Sequence, residues 1–270
     1  MKWKWVFILI TVGMSACDMI EYHPYDVSLS RKYTDLNRKS MERIIATQGT
    51  VSKGDTIRFA FMGDTQRSYD ETVDFVNAIN RRHDIDFVIH GGDITDFGMA
   101  KEYVWIHDIM KKLKVPYVAV IGNHDILGHG KEVYQSIYGD YNFSFVYKQT
   151  KFLFLNTNAL EFDYSTPIPD FGFIQNELNR TDEEYQQTIV AMHVQPYDIE
   201  FNNNTASYFQ QLIRQFKNPL FCIHAHAHVL MANDFFKDGL MYYGCDDIHD
   251  KNYMVFTVVN GSYSYEVVKF

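Results

Sequence analysis

Seven side chains along this chain could hold cations together: Asp64, Gln66, Asp93, Asn123, His193, His226 and His228. The first four follow glycines, in Gly63-Asp64-Thr65-Gln66, Gly92-Asp93-Ile94-Thr95-Asp96 and Gly122-Asn123-His124-Asp125, whereas the histidines follow apolar runs. Carboxylate, amide and imidazole donors without a thiolate suit Mn, Fe, Zn, Mg or similar divalent ions. Such a set is more than one tetrahedral ion takes. It fits two ions that keep positions open for water or substrate, an arrangement in which a shared carboxylate makes a hydrolytic clamp. A single carboxylate after a strand is commonly a helix N-cap, and an Asn or Asp in a turn can satisfy its own backbone. Several ligand-type residues, each placed just past a glycine that lets the chain turn sharply, weaken that plainer explanation.

Such residues act together only if the chain brings them to one edge. Residues 57–62, 87–89 and 117–121 read as strands. Residues 71–82, with Val73, Val76 and Ile79 on one face, and 100–113, with Val104, Ile106, Ile109, Met110 and Leu113, read as helices. Strand, helix and strand in alternation is the pattern of right-handed parallel crossovers. Parallel strands end at a common edge, where ligands bind in open α/β sheets, so Asp64, Asp93 and Asn123 are expected there together. Further on, 143–147 and 152–155 read as a hairpin, 173–178 as a short helix and 207–216 as a helix. Strand 188–192 ends in His193, and strand 220–223 leads into His224-Ala225-His226-Ala227-His228. Residues 240–243, 253–259 and 263–268 read as an antiparallel tail.

From about residue 57 to the C-terminus the sequence resembles the calcineurin-like metallophosphoesterase superfamily, carried by the three glycine blocks, His193 and Ala225-His226-Ala227-His228 in that order. The resemblance implies an α/β, four-layer fold, a central β-sandwich flanked by helices, over residues 56–270. It implies Asp93 bridging two divalent ions, Asp64 and His228 on the first, and Asn123, His193 and His226 on the second. Two positions depart from the family pattern. Gln66 stands where a His is usual and is the weaker ligand, and Ala225 replaces a usual Gly. His224 offers a second register of the His-x-His pair, but it still continues the apolar strand, so His226 and His228 are the preferred ligands. The expected reaction is hydrolysis of a phosphate mono- or diester by an activated water, with His124 as general acid to the leaving group, oriented by Asp96. His90 and Asp125 read as supports near the site, and His83, His107, His129 and His249 as surface groups. A catalytically weakened binding protein, with one metal site eroded at Gln66, is the alternative. A metal amidohydrolase also uses a His-x-His pair, but usually near its first strand rather than near the C-terminus.

At 270 residues the chain can build one large α/β domain. A net charge of −9 with no basic run disfavours a nucleic-acid surface. Lys2 and Lys4 precede a short apolar stretch, 6–12, and Ser15-Ala16 precede Cys17. This is a signal peptide over 1–16 whose small residues before a Cys resemble a bacterial lipobox. It implies a membrane anchor through lipidated Cys17, a cell-envelope location and a lead-in over 17–55 that tethers the domain or packs along its edge. Cys222 lies in an apolar strand and is expected to be a packed thiol. Tyr164, Phe171 and Tyr197 could line a substrate pocket or simply pack.

Overall fold

Side chains alternate along each strand, so each central strand feeds two different cores. In the computed structural model, residues 31–48, 56–162 and 166–270 are described. The expected leader, Cys17, most of the lead-in and Tyr164 lie outside the described residues. In β1 (Ile57–Met62), Phe59 and Phe61 enter an apolar layer between two sheets, whereas Ala60 and Met62 face helices. β1 runs parallel to β2 (Phe87–His90), and β2 to β3 (Tyr117–Ala119). On the other side of β1 lie β10 (Asn252–Val259) and β11 (Ser262–Lys269), both antiparallel, giving the order β11-β10-β1-β2-β3.

The second sheet contains β4 (Phe143–Tyr147), β5 (Thr150–Leu155), β6 (Gln187–Met192), β7 (Pro219–His224), β8 (Met231–Asn233) and β9 (Met241–Gly244), in the order β4-β5-β6-β7-β9-β8. Phe152, Phe154, Ile189, Phe221 and Ile223 meet Phe59, Phe61, Phe87 and Ile89 across the inter-sheet core. Each such Phe contributes about 1.5–3 kcal/mol by leaving water.

Helices close the outer faces. α2 (Tyr69–Arg81), α3 (Ala100–Met110) and α4 (Gly130–Ile137) cover the first sheet, and α5 (Phe171–Asn179) and α6 (Ala206–Ile213) the second. This is the expected four-layer α/β architecture. α1 (Leu36–Ala46), from the lead-in, packs beside β3. Its Asn37 side chain donates to the Ala119 carbonyl (2.9 Å) and accepts from the Ala119 N–H (2.8 Å), so an amide side chain occupies the hydrogen-bonding edge of β3.

One feature differs from the sequence reading and two were absent from it. Residues 240–243 do not join the antiparallel tail, because β9 pairs parallel with β7, with Cys222 opposite Tyr242. α4 was not expected between its flanking glycines, although Val133, Tyr134 and Ile137 form its buried face. Lys151, in β5, is fully buried and is neutralised by Glu177 at 2.6 Å and Glu183 at 2.9 Å. Cys222 and Cys245 are both buried and free. Among the described residues no helix is long and apolar enough to cross a membrane.

Candidate metal centre

Register fixes where the polar residues emerge. Met62 pairs with His90 and His90 with Ala119, so the first sheet's parallel strands end level. Asp64, Asp93 and Asn123 therefore leave the sheet side by side. Asp64 and Asp93 take left-handed backbone conformations, φ 55° and 54°, as do His226 and His228 at 64° and 49°. Such conformations cost non-glycine residues free energy and collect at functional sites. Gly122 is required for space as well, because a Cβ there would come within 2.2 Å of Asp93 Oδ1. In the second sheet, His193 follows β6 and His226 and His228 follow β7. Ala225 is accommodated because Gly63 and Gly91 have no Cβ, which would fall 2.8 Å from the Ala225 methyl.

The two sheets bring these groups into contact. Asp93, His193 and His226 offer ligand atoms within 4.8 Å of one another, and so do Asp64, Asp93 and His228, with Asp93 common to both groups. The His193 Nδ1–H donates to the Gly91 carbonyl at 2.8 Å. That fixes Nε2 as the atom facing Asn123 Oδ1 at 2.9 Å and Asp93 Oδ1 at 3.3 Å. His226 Nδ1 lies 3.1 Å from the same Asn123 oxygen. His228 Nε2 lies 3.3 Å from Asp64 Oδ1. Neither carboxylate oxygen of Asp64 makes a well-aligned hydrogen bond, although the residue is only 1% exposed.

The electrostatics follow from that crowding. Burial raises the pKa of Asp64, with the Asp93 charge adding to the rise against the two histidines. Burial also opposes charge on Asp93 and His193, but each holds the other ionised, so Asp93 is shifted down and His193 up. A buried carboxylate without good donors, beside imidazole nitrogens aimed at oxygens, fits divalent cations, which would take the place of the proton shared between Asp93 and His193.

Gln66 reaches the same place. Its Nε2 donates to Asp93 Oδ2 at 3.2 Å, and its Oε1 is buried without a partner. The His124 N–H donates to Asp93 Oδ1 at 2.9 Å, and its ring Nδ1 meets the Asp96 main-chain carbonyl at 3.0 Å. The Asp96 carboxylate, expected to orient His124, pairs instead with Arg67 Nε at 3.2 Å. Asp125 accepts from the N–H groups of Gly122, Ile94 and Thr95 and from the Thr95 hydroxyl, which staples the second and third glycine blocks together. Burial, then Asp93, raises its pKa to about 7 against those donors.

Buried His90 lies 3.0 Å from the Thr65 hydroxyl and accepts from the Gly92 N–H, which supports the loop rather than the centre. His224 is buried, its Nδ1 lies 3.1 Å from the Ala225 carbonyl, and it belongs to neither ligand group. His83, His129 and His249 are exposed, whereas His107 is partly buried and hydrogen-bonded to the Tyr117 hydroxyl at 2.7 Å.

Three contributors escaped the sequence reading. Asp198 Oδ1 lies 3.4 Å from His226 Nε2, and Asp247 Oδ2 lies 3.4 Å from His228 Nδ1. Arg67, at φ 63°, lines a cleft of about 490 Å³ together with Asp64, Gln66, His124, His228 and Asp247. Asp247 is held there by a backbone bridge to Gly63 and follows β9, so reading β9 as parallel would have placed it at the ligand edge.

The family model for calcineurin-like phosphoesterases matches residues 57–230, more than half of the chain. A protein named "Probable cyclic nucleotide phosphodiesterase" from Moraxella catarrhalis is 26% identical over 150 residues, covering 51% of this chain and 53% of that protein. A similarly named Xenorhabdus bovienii protein is 30% identical over 63 residues, 23% of this chain and 26% of that one. The chain thus spans about half, or less, of the length of these relatives. Among solved structures, a dimetal phosphatase from Danio rerio aligns with TM-score 0.55 and 12% identity over 79% of this chain and 99% of its own. The Plasmodium inner-membrane-complex anchor GAP50 aligns with TM-score 0.60 and 14% identity over 79% and 84%. At these identities the two structures speak for the fold alone.

Proposed function

The chain belongs to the calcineurin-like phosphoesterase family, and on that premise we propose that it is a metal-dependent hydrolase of phosphate mono- or diesters with a dinuclear site. The observation that carries the reading is Asp93, shared between two ligand groups at the meeting point of both sheets. Asp64, Asp93, His228 and Gln66 would hold one divalent ion, and Asp93, Asn123, His193 and His226 the other. Rotation of the Gln66 amide would exchange its NH₂ for the partnerless oxygen. Bound ions would supply Lewis acidity at phosphoryl oxygens and acidify a water towards neutral pH.

The chain's own groups do the rest. Gly91 holds His193 in the tautomer that leaves Nε2 available. His124 keeps its Nδ1 proton on the Asp96 carbonyl, so Nε2 is the atom that gives a proton to the departing alkoxide. Arg67, held at Nε by Asp96, keeps the fork of its two terminal nitrogens for phosphoryl oxygens.

The test is a panel of phosphomonoesters, aryl diesters and cyclic nucleotides, the last suggested by the names of the relatives. It is run on protein loaded separately with Mn, Zn, Fe and Mg, with metal content measured. Turnover with two ions per chain supports the proposal, and no turnover with any ion defeats it. Gln66 in place of a usual His favours the second reading, a binding protein with one weakened site, which the absence of turnover despite metal binding would support. Lipidation at Cys17 and an envelope location are proposed from sequence alone, and a Cys17→Ala chain that still takes up a lipid label would refute them.

A further inference from the structure

Twelve large apolar side chains are exposed among the described residues, and six of them, Phe97, Leu127, Tyr197, Ile199, Val229 and Leu230, lie in the loops that carry the candidate ligands. Phe97 follows Asp96, Leu127 comes two positions after Asp125, and Val229-Leu230 follow His228. Ile199, 87% exposed, lies in the loop after His193, next to Asp198. Leu160 lies in the loop after β5, which is parallel to β6 and ends level with it at Leu155 and Met192.

The loops that carry them are tied to one another through their backbones. The Ala159 N–H donates to the Glu200 carbonyl at 3.1 Å, which ties the loop of Leu160 to the loop of Ile199. The Gly98 backbone packs so closely on the Leu127 carbonyl that a Cβ would fall 2.3 Å from it, which brings the loop of Phe97 against the loop of Leu127. Exposed apolar side chains collected in the loops at one sheet edge, next to those that line a polar cleft, mark a binding site.

The rim is mostly aliphatic, and its acidic neighbours are Glu161 and Glu200. Glu200 has its pKa raised to about 7 by burial first and then by Glu161. The Glu161 charge opposes a second phosphate or another anionic group, Glu200 sheds its own charge near neutral pH, and branched aliphatic side chains suit hydrocarbon better than they stack a flat base.

We infer that this rim is a subsite for an aliphatic chain, and that the substrates favoured are phosphoesters carrying an uncharged alkyl group rather than nucleotides. The inference rests on the phosphoesterase reading of the adjoining cleft.

The experiment compares p-nitrophenyl alkyl phosphates and n-alkyl monophosphates with methyl, butyl and octyl groups, alongside a cyclic nucleotide, on the metal-loaded protein. Full burial would raise kcat/KM roughly fourfold per methylene. A half-open rim is expected to give at least about tenfold from methyl to octyl. Calorimetry should show octylphosphonate binding more tightly than methylphosphonate. Ile199→Ser and Leu230→Ser, at exposed positions where folding is not at stake, should each lower the octyl-to-methyl ratio measured within one variant. Turnover with no dependence on chain length, or a cyclic nucleotide preferred over the octyl esters, overturns the inference and leaves the phosphoesterase reading intact. No turnover of any ester overturns both.

Discussion

Asp247 Oδ2 stands 3.4 Å from Nδ1 of His228, whose Nε2 stands 3.3 Å from Asp64. A carboxylate on the far nitrogen of a ligand imidazole fixes its tautomer and raises its basicity, and its loss typically costs about 10–100-fold in metal affinity. Asp247→Ala is therefore expected to weaken binding of one ion by about tenfold or more, read by calorimetry with Mn. Affinities equal to those of the parent chain would remove Asp247 from this role.

His124 touches Asp93 only through its main-chain N–H, so its ring can be removed without disturbing a candidate ligand side chain. His124→Ala should keep its metal while losing activity, with the largest loss on esters with poor leaving groups, about 10²–10⁴-fold as for general acid catalysis. A uniform loss across good and poor leaving groups would argue against proton donation.

The Arg67 side chain is 74% exposed and is held only through Nε by Asp96. Arg67→Lys keeps the charge but loses the fork. It should raise KM, with Arg67→Ala raising it further, by about tenfold for one lost charge-assisted hydrogen-bond pair. Metal content should stay the same. An unchanged KM and unchanged inhibition by inorganic phosphate in both variants would show that Arg67 serves only to pair Asp96.

Lys151 carries a stability prediction. Removing its ammonium leaves Glu177, itself buried, with Arg180 at 3.1 Å as its remaining cation. Breaking a buried pair from one side costs about 3–5 kcal/mol, and Arg180 puts Lys151→Met near the lower figure. Urea unfolding measures it, and Lys151→Met combined with Glu177→Gln should cost less than the sum of the two single changes.

Burial lowers the pKa of His107 from 6.5 to about 4. Between those values the unfolded chain takes up a proton that the folded chain refuses. The contribution to stability is therefore complete above pH 6.5 and is lost as pH falls towards 4. His90, pushed down to about 3 by burial, acts in the same direction. Stability should fall by on the order of 1 kcal/mol per pH unit for each such group. His107→Gln should make the dependence shallower, and an unaltered slope in that variant would contradict the assignment.

The strand ends were legible because apolar runs broken by Gly-Asp or Gly-Asn state both the strand and its terminus. Ile57–Met62 and Phe143–Tyr147 match the sequence reading in full. What stayed hidden depended on which strand pairs with which. Apolar patterning gives Met241–Gly244 as a strand but does not say that β7 is its parallel neighbour, and Asp247 was lost with that choice. The Asp96 side chain was expected to orient His124, whereas the left-handed turn at Arg67 sets a guanidinium beside it. Lys151 falls just before the strand read at 152–155, and its burial follows only once β5 is known to be covered on both faces.

The amide of Asn37 on Ala119 has a practical consequence. The family match begins at residue 57, and a shortened polypeptide starting there would lack this plug. The Ala119 carbonyl would keep the Tyr134 hydroxyl at 2.7 Å, but the Ala119 N–H would lose its acceptor and stand open at the sheet edge, an invitation to edge-to-edge pairing. The helix before the recognised domain thus covers the β3 edge of the first sheet at Ala119.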